Sequence, residues 1–240
     1  MKGKMYQVST LQALALGYTR AVIPVSQLSG MGTIGLGTFE DVNGEMILLD
    51  GVCHRAMADG TVVVAPPQMG VPFGCAADFR CDKKLAVSGI GSMDALKKWL
   101  TLRIEEDFGL NSMYVVRIDG KFPKICARSE SPSRSQHVEL KEMLSRTQRD
   151  FVFEKAEGTL VCIYFPDYMD GINAAGWHVH FVSADQARGG HVFELEVSEA
   201  VAQFCRISHI EIQIPDEPAF DTYALKEAVG SDIKKVEQGE

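Results

Sequence analysis

Three of the six histidines of this 240-residue chain fall between His178 and His191. Two of them form an H-x-H pair, Trp177-His178-Val179-His180-Phe181, among strand-forming residues. Side chains two apart on an extended strand share a face, so His178 and His180 project together. The stretch from Ser183 to Gly190 is polar and ends in a glycine pair, which predicts a hairpin loop that returns His191 beside the first two. Three converging imidazoles make a metal site. No cysteine lies in the segment, and structural zinc sites usually close their sphere with four ligands, often thiolates. The pattern therefore favours a catalytic metal with an open position. The competing reading is an H-x-H that arises by chance with a third histidine in a turn. The apolar flanks weigh against it, because a histidine buried in an apolar sheet needs a partner and one shared ion serves three.

Strands must carry this site. The second half opens with a predicted strand at 159–165, continues through the histidine hairpin, and holds a further long strand at 204–214. In the first half, Asn43-Gly44 and Asp59-Gly60 predict hairpin turns and Asp50-Gly51 a bend or bulge. Strand-like runs recur at 71–80 and 85–88, and 113–118 with 122–127 read as a hairpin turning at Asp119-Gly120. Helices are few. A short one is expected over 9–17, capped by Ser9 or Thr10. The clearest spans 94–108, with Ser92 as cap, Leu96, Trp99, Leu100, Ile104 and Phe108 as one apolar stripe, and Gly109 at its end. Another is expected at 137–145, and the tail 216–237 is helical in pattern. The stripe reads as core.

Nearly half of the chain is apolar, enough for a packed interior, and the net charge of −8 opposes nucleic-acid binding. No apolar run suits a signal peptide or a membrane span, so a cytoplasmic protein is expected. The six cysteines are scattered without a C-x-x-C and read as reduced core residues. Gly30-Met31-Gly32-Thr33-Ile34-Gly35 fits G-x-G-x-x-G, yet strand residues follow where the dinucleotide motif needs a helix. Tight turns and close backbone approach account for these glycines better.

In order along the chain stand Tyr6-Gln7-Val8-Ser9-Thr10-Leu11-Gln12-Ala13-Leu14, Gly35-Leu36-Gly37-Thr38-Phe39, Asn43-Gly44-Glu45-Met46 and Leu49-Asp50-Gly51. Later come Pro166 to Asn173, Gly176 to Phe181 and Gly189-Gly190-His191-Val192. With these the sequence resembles the alpha-acetolactate decarboxylase family over nearly its whole length. The resemblance implies Zn2+ on His178, His180 and His191. It implies catalytic Glu45, Arg128 and Glu237, with Thr38, Glu45 and Arg128 contacting substrate. Asn43 stands where the family pattern leads one to expect Asp, and the match around Glu237 is short.

The implied activity is that of a lyase, the zinc-dependent decarboxylation of (S)-2-acetolactate to (R)-acetoin and CO2 in acetoin and 2,3-butanediol biosynthesis. The partners implied are a small 2-hydroxy-3-oxo acid and a second copy of the chain in a homodimer, with no nucleic acid and no membrane. The alternatives are another metal-dependent lyase or hydrolase on the same three-His scaffold, and a non-catalytic metal-binding module. The fold class expected is α/β of an α+β-like kind: two closely packed domains with mixed, mostly antiparallel sheets and few helices. Residues 1–150 would form the N-terminal domain supplying Thr38, Glu45 and Arg128. Residues 151–240 would carry the metal and a tail that folds over the site.

Overall fold

The structure, a computed structural model, describes residues 3–134 and 137–225. In chain order its elements are β1 (Gly3–Val8), α1 (Leu11–Ala15), β2 (Ile23–Pro24), α2 (Val25–Ser29), β3 (Ile34–Thr38), β4 (Glu45–Leu49), β5 (Val52–Ala56), β6 (Val62–Val64), β7 (Gly70–Val71), β8 (Phe73–Ala77), β9 (Lys83–Ile90), α3 (Met93–Asp107), β10 (Met113–Glu130), α4 (Leu140–Thr147), β11 (Gln148–Phe165), β12 (Gly176–Ser183) and β13 (Gly189–Gln213). Strands dominate, and four short-to-medium α-helices stand among the described residues. One sheet of eleven strands runs in the order β10-β11-β12-β13-β1-β8-β3-β4-β5-β6, with β9 added on β13. Every ladder in it is antiparallel except β1 on β13, which gives the mixed, mostly antiparallel character expected.

The long strands β10 and β13 also pair with each other, so β10, β11, β12 and β13 close into a ring. Closure removes free edges at the end where the histidines lie. The β11 strand runs through residue 150 without interruption. One core cluster packs α3 against this closed set through Leu96, Leu100 and Ile104, all fully buried. Burying each of these side chains stabilises the fold by roughly 1.5–3 kcal/mol. The helix begins at Ser92, whose hydroxyl accepts the N–H of Ala95, and ends before Gly109 at φ +89°. A second cluster fills the space under β3, β4, β8, β11 and β13 with Leu36, Ile47, Cys75, Val161, Ile163 and Ile207.

Several local expectations need correction. Asp119-Gly120 is no turn, and 113–130 is one continuous strand paired along its length with both β11 and β13. A Cβ on Gly120 would sit 2.3 Å from the Ala200 Cβ, so this glycine serves close packing against β13. Asp119 accepts hydrogen bonds from Arg117, Thr159 and Gln203 across the same strands, which holds the extended form. Asp50-Gly51 is a tight two-residue hairpin turn between β4 and β5, with both residues at positive φ, where a bend or bulge was expected.

The helix expected at 9–17 forms over Leu11–Ala15 with Thr10 as its cap. The described part of the tail contains a 3-10 turn at Phe220–Thr222 and no α-helix up to residue 225, and the remainder of the expected 216–237 helix lies outside the described residues. The G-x-G-x-x-G run leads from α2 into strand β3, with no helix after it. A Cβ on Gly35 would stand 1.9 Å from the Cys75 carbonyl oxygen, the close approach of strands that its glycine permits. Five of the six cysteines are buried thiols and Cys81 is exposed.

Candidate metal centre and reaction cavity

The hairpin between β12 and β13 brings the three histidines together. His180 lies directly opposite His191 in the ladder, and His178 is two residues back on the same face. On its other side His191 faces Arg128 of β10. That pairing depends on a bulge. Cys126 faces Glu194 and Ala127 faces Val192, which leaves Phe193 unopposed on β13. Without the extra residue Arg128 would face Val192, one position along, and would point to the other side of the sheet. The bulge therefore sets Arg128, His191 and His180 in one row across three strands.

All three histidines are buried. His178 Nε2 lies 3.0 Å from His180 Nε2 and 3.0 Å from His191 Nδ1. All three ligand atoms fall within 4.8 Å of one another. Nitrogens bound tetrahedrally at zinc distances stand roughly 3.3 Å apart, so these spacings fit one ion. The tautomer of His180 is fixed: its Nδ1 donates to the Met46 carbonyl oxygen at 2.9 Å, so the lone pair of Nε2 faces the centre. Burial, reinforced by the Arg128 charge and then Lys97, pushes the His178 pKa down to about 3. Burial first, and His178 next, hold His180 well below its ordinary value. Both rings are thus neutral near pH 7, the form that ligates a metal. Two imidazoles can share one proton in an N–H···N contact, but three converging on one point cannot all be satisfied that way. The residues fit a divalent cation.

The N-terminal half closes the site. Thr38 and Glu45 face each other at the loop end of the β3–β4 hairpin. Glu45 Oε2 reaches 3.4 Å from His180 Nε2, and Oε1 lies 3.9 Å from His191 Nδ1. The Thr38 hydroxyl donates to the Gly44 carbonyl oxygen at 3.0 Å, which leaves its oxygen able to accept, and Thr38 lines the cavity. The Arg128 Nη2 atom stands 3.3 Å from His191 Nε2. Beside the bond from His180, Ser129 of β10 links β4 and β5 to the ring of strands. The Glu45 backbone N–H donates to Ser129 Oγ at 3.2 Å, and Ser129 Oγ donates to the Ala56 carbonyl oxygen at 2.8 Å.

These groups open onto a cavity of about 420 Å³, including its mouth to solvent, with two unlike ends. One end holds His178, His191, Glu45, Arg128 and Glu130; the other is apolar, with Leu14, Val42, Phe73, Leu140 and Leu144. The apolar end is where α1 and α4 meet over the hairpin. Of the residues expected at the site, His178, His180, His191, Glu45, Arg128 and Thr38 converge here, and Glu237 lies outside the described residues. Sequence reasoning missed Glu130, Ser129 and the apolar wall. Strand alternation carries a signal for Glu130, since it stands two residues from Arg128 on one face. No comparable signal marks the wall.

Comparison with known proteins finds the same fold and a sequence family. The sequence profile described as alpha-acetolactate decarboxylase matches residues 5–227. An alpha-acetolactate decarboxylase of Methanosarcina mazei is 32% identical over 98% of this chain and 80% of its own. One from Brevibacillus brevis is 28% identical over 98% of this chain and 81% of its own. The crystal structure of alpha-acetolactate decarboxylase from Bacillus subtilis strain 168 superposes with a TM-score of 0.92 at 27% identity, covering 98% of this chain and 99% of that one.

Proposed function

The chain belongs to the alpha-acetolactate decarboxylase family, and from that premise we propose that it converts (S)-2-acetolactate to (R)-acetoin and CO2, with Zn2+ held by His178, His180 and His191. The observation that carries this reading is the single row Arg128–His191–His180, with His178 and Glu45 beside it at the polar end of a buried cavity. Loss of CO2 from a β-keto acid breaks the C–C bond to the carboxyl group and sends its electron pair toward the ketone. A divalent cation in the three-His site supplies Lewis-acid stabilisation of the oxygens on which that charge develops.

The remaining work falls to the chain. Arg128 holds the substrate carboxylate, its guanidinium being a planar fork suited to such a group. Glu45, 3.4 Å from His180 Nε2, holds or delivers the proton that the carbon takes up after CO2 leaves. Thr38 offers a hydroxyl oxygen to the substrate's tertiary hydroxyl. Glu237 is proposed as the second carboxylate in proton handling. A chain truncated after Val236 tests it, and full activity there removes Glu237 from the site.

In this reading residues 1–150 supply Thr38, Glu45 and Arg128 to a metal held by residues 151–240. The chain is proposed to work as a homodimer, which sedimentation of the purified protein tests. No helix among the described residues is long and apolar enough to cross a membrane.

The deciding experiment measures acetoin released from racemic acetolactate before chelation, after it, and after zinc is added back. Turnover lost and then restored supports the reaction and the metal together. No acetoin from a folded, zinc-loaded protein ends the decarboxylase reading and leaves a three-His centre with another substrate.

A further inference from the structure

Val42 has a backbone conformation that valine rarely adopts, with φ +54°, and its side chain is buried in the wall of the reaction cavity. A β-branched residue in the left-handed region crowds its own backbone, so it persists only where the surroundings overrule it. Here they do. The preceding Asp41, at φ +62°, is fixed from three directions. Its N–H donates to the Thr19 carbonyl oxygen at 3.0 Å, its carbonyl oxygen accepts the Ser133 N–H at 2.8 Å, and its carboxylate takes the Arg134 Nε at 2.9 Å. Glu40 accepts the Ala21 N–H. A glycine at position 42 would meet the same turn geometry without crowding. What valine adds is an isopropyl group packed with Leu14, Phe73 and Leu140 at the apolar end.

We propose that Val42 is a specificity-determining residue, its strained position fixing the length of alkyl substituent that the cavity admits on the tertiary carbon of the keto acid. The inference rests on the decarboxylase reading. A 2-hydroxy-3-oxo acid carries its carboxylate, hydroxyl and ketone oxygens on one side, and these belong to the end with Arg128, Glu45 and the histidines. Its alkyl groups must then meet the apolar end, where a buried wall that cannot relax discriminates by single methylenes. One methylene in such a pocket is worth about 10–200-fold in kcat/KM. Strain held in a turn that only lines a loop would serve nothing. Strain that holds a side chain against the substrate sets a limit on size.

The test compares wild type, Val42→Ala and Val42→Gly, all zinc-loaded, on acetolactate and on its homologue with ethyl in place of methyl at the tertiary carbon. The ratio of kcat/KM, ethyl over methyl, is expected to rise about tenfold in Val42→Ala and at least as far in Val42→Gly. Thermal unfolding of the two variants reads the strain separately. Both lack the isopropyl group, and replacing alanine by glycine ordinarily lowers Tm, whereas at this φ the glycine variant is expected to melt higher. An unchanged ratio in both variants, with wild type active on acetolactate, overturns the inference alone. A glycine variant that melts below the alanine variant overturns the claim that strain holds the wall. Wild type that releases no acetoin from either substrate overturns the decarboxylase reading and the inference with it.

Discussion

The two ends of the cavity are built by different means. The polar end stands on strands β10, β12 and β13, whose ladders fix Arg128, His191 and His180 in one row. The apolar end is assembled from a turn, two short helices and the start of β8, through Val42, Leu14, Leu140, Leu144 and Phe73. Ladder hydrogen bonds on both sides give the polar end a position that side-chain changes scarcely move, while the wall depends on packing between segments distant in sequence. Charge and metal chemistry need fixed distances, and continuous sheet supplies them. Selectivity among alkyl groups needs only a surface of the right depth, and loops supply that.

The sharpest way to break this contrast is at the polar end. His180→Ala is expected to lose bound metal and at least a thousandfold in kcat/KM together, because the remaining two imidazoles leave an incomplete site. Metal analysis beside the acetoin assay checks it, and activity retained without metal would refute the zinc mechanism.

Acid should reach the same end first. The folded pKa of His178 is about 3 against an unfolded value near 6.5, and His180 and the buried His54 shift in the same direction. Below pH 6.5 the unfolded chain takes up protons that the folded chain refuses. Stability of the metal-free protein is therefore intact above that pH and falls as pH drops toward 3, by several kcal/mol in all. Thermal melts from pH 8 to 4 should show the decline, and His178→Gln should flatten it where Leu144→Ala leaves the slope as it is. A flat profile in the parent protein contradicts the neutral, buried histidines.

Glu45→Gln keeps the shape of the site and removes the proton. The expected outcome is full metal content with kcat reduced about a hundredfold or more, read by steady-state kinetics on the zinc-loaded variant. Loss of metal in this variant would instead make Glu45 a ligand.

The smallest effect belongs to the apolar end. Leu144→Ala should raise KM by about three- to tenfold with little change in kcat, since it removes contact made equally before and during reaction. A fall in kcat as large as that of Glu45→Gln would erase the distinction between the two ends.

How much of this was legible beforehand follows the same division. The H-x-H alternation, the polar loop ending in Gly189-Gly190 and the return to His191 are local patterns of one hairpin, and the structure keeps them as read. The stripe of α3 with its Ser92 cap is equally local. Asp119-Gly120 misled because the dipeptide that favours a hairpin turn also fits a strand packed tightly against Ala200, and only the neighbouring strand decides between them. Glu45, Arg128 and Thr38 entered through family resemblance, since an acid beside a turn and an arginine in a polar stretch have no periodicity to mark them.

Residue order by itself determined the three-imidazole hairpin, the main helix and the strand-rich character, because each follows from the pitch of a strand or helix over a few consecutive residues. Tertiary structure alone decided three other things. The bulge at Phe193 turns Arg128 toward His191, Ser129 joins Glu45 to the strand ring, and the turn around Asp41 presses Val42 into the cavity wall. Each depends on contacts between segments tens of residues or more apart, whose register is set by the whole sheet and which no local pattern encodes.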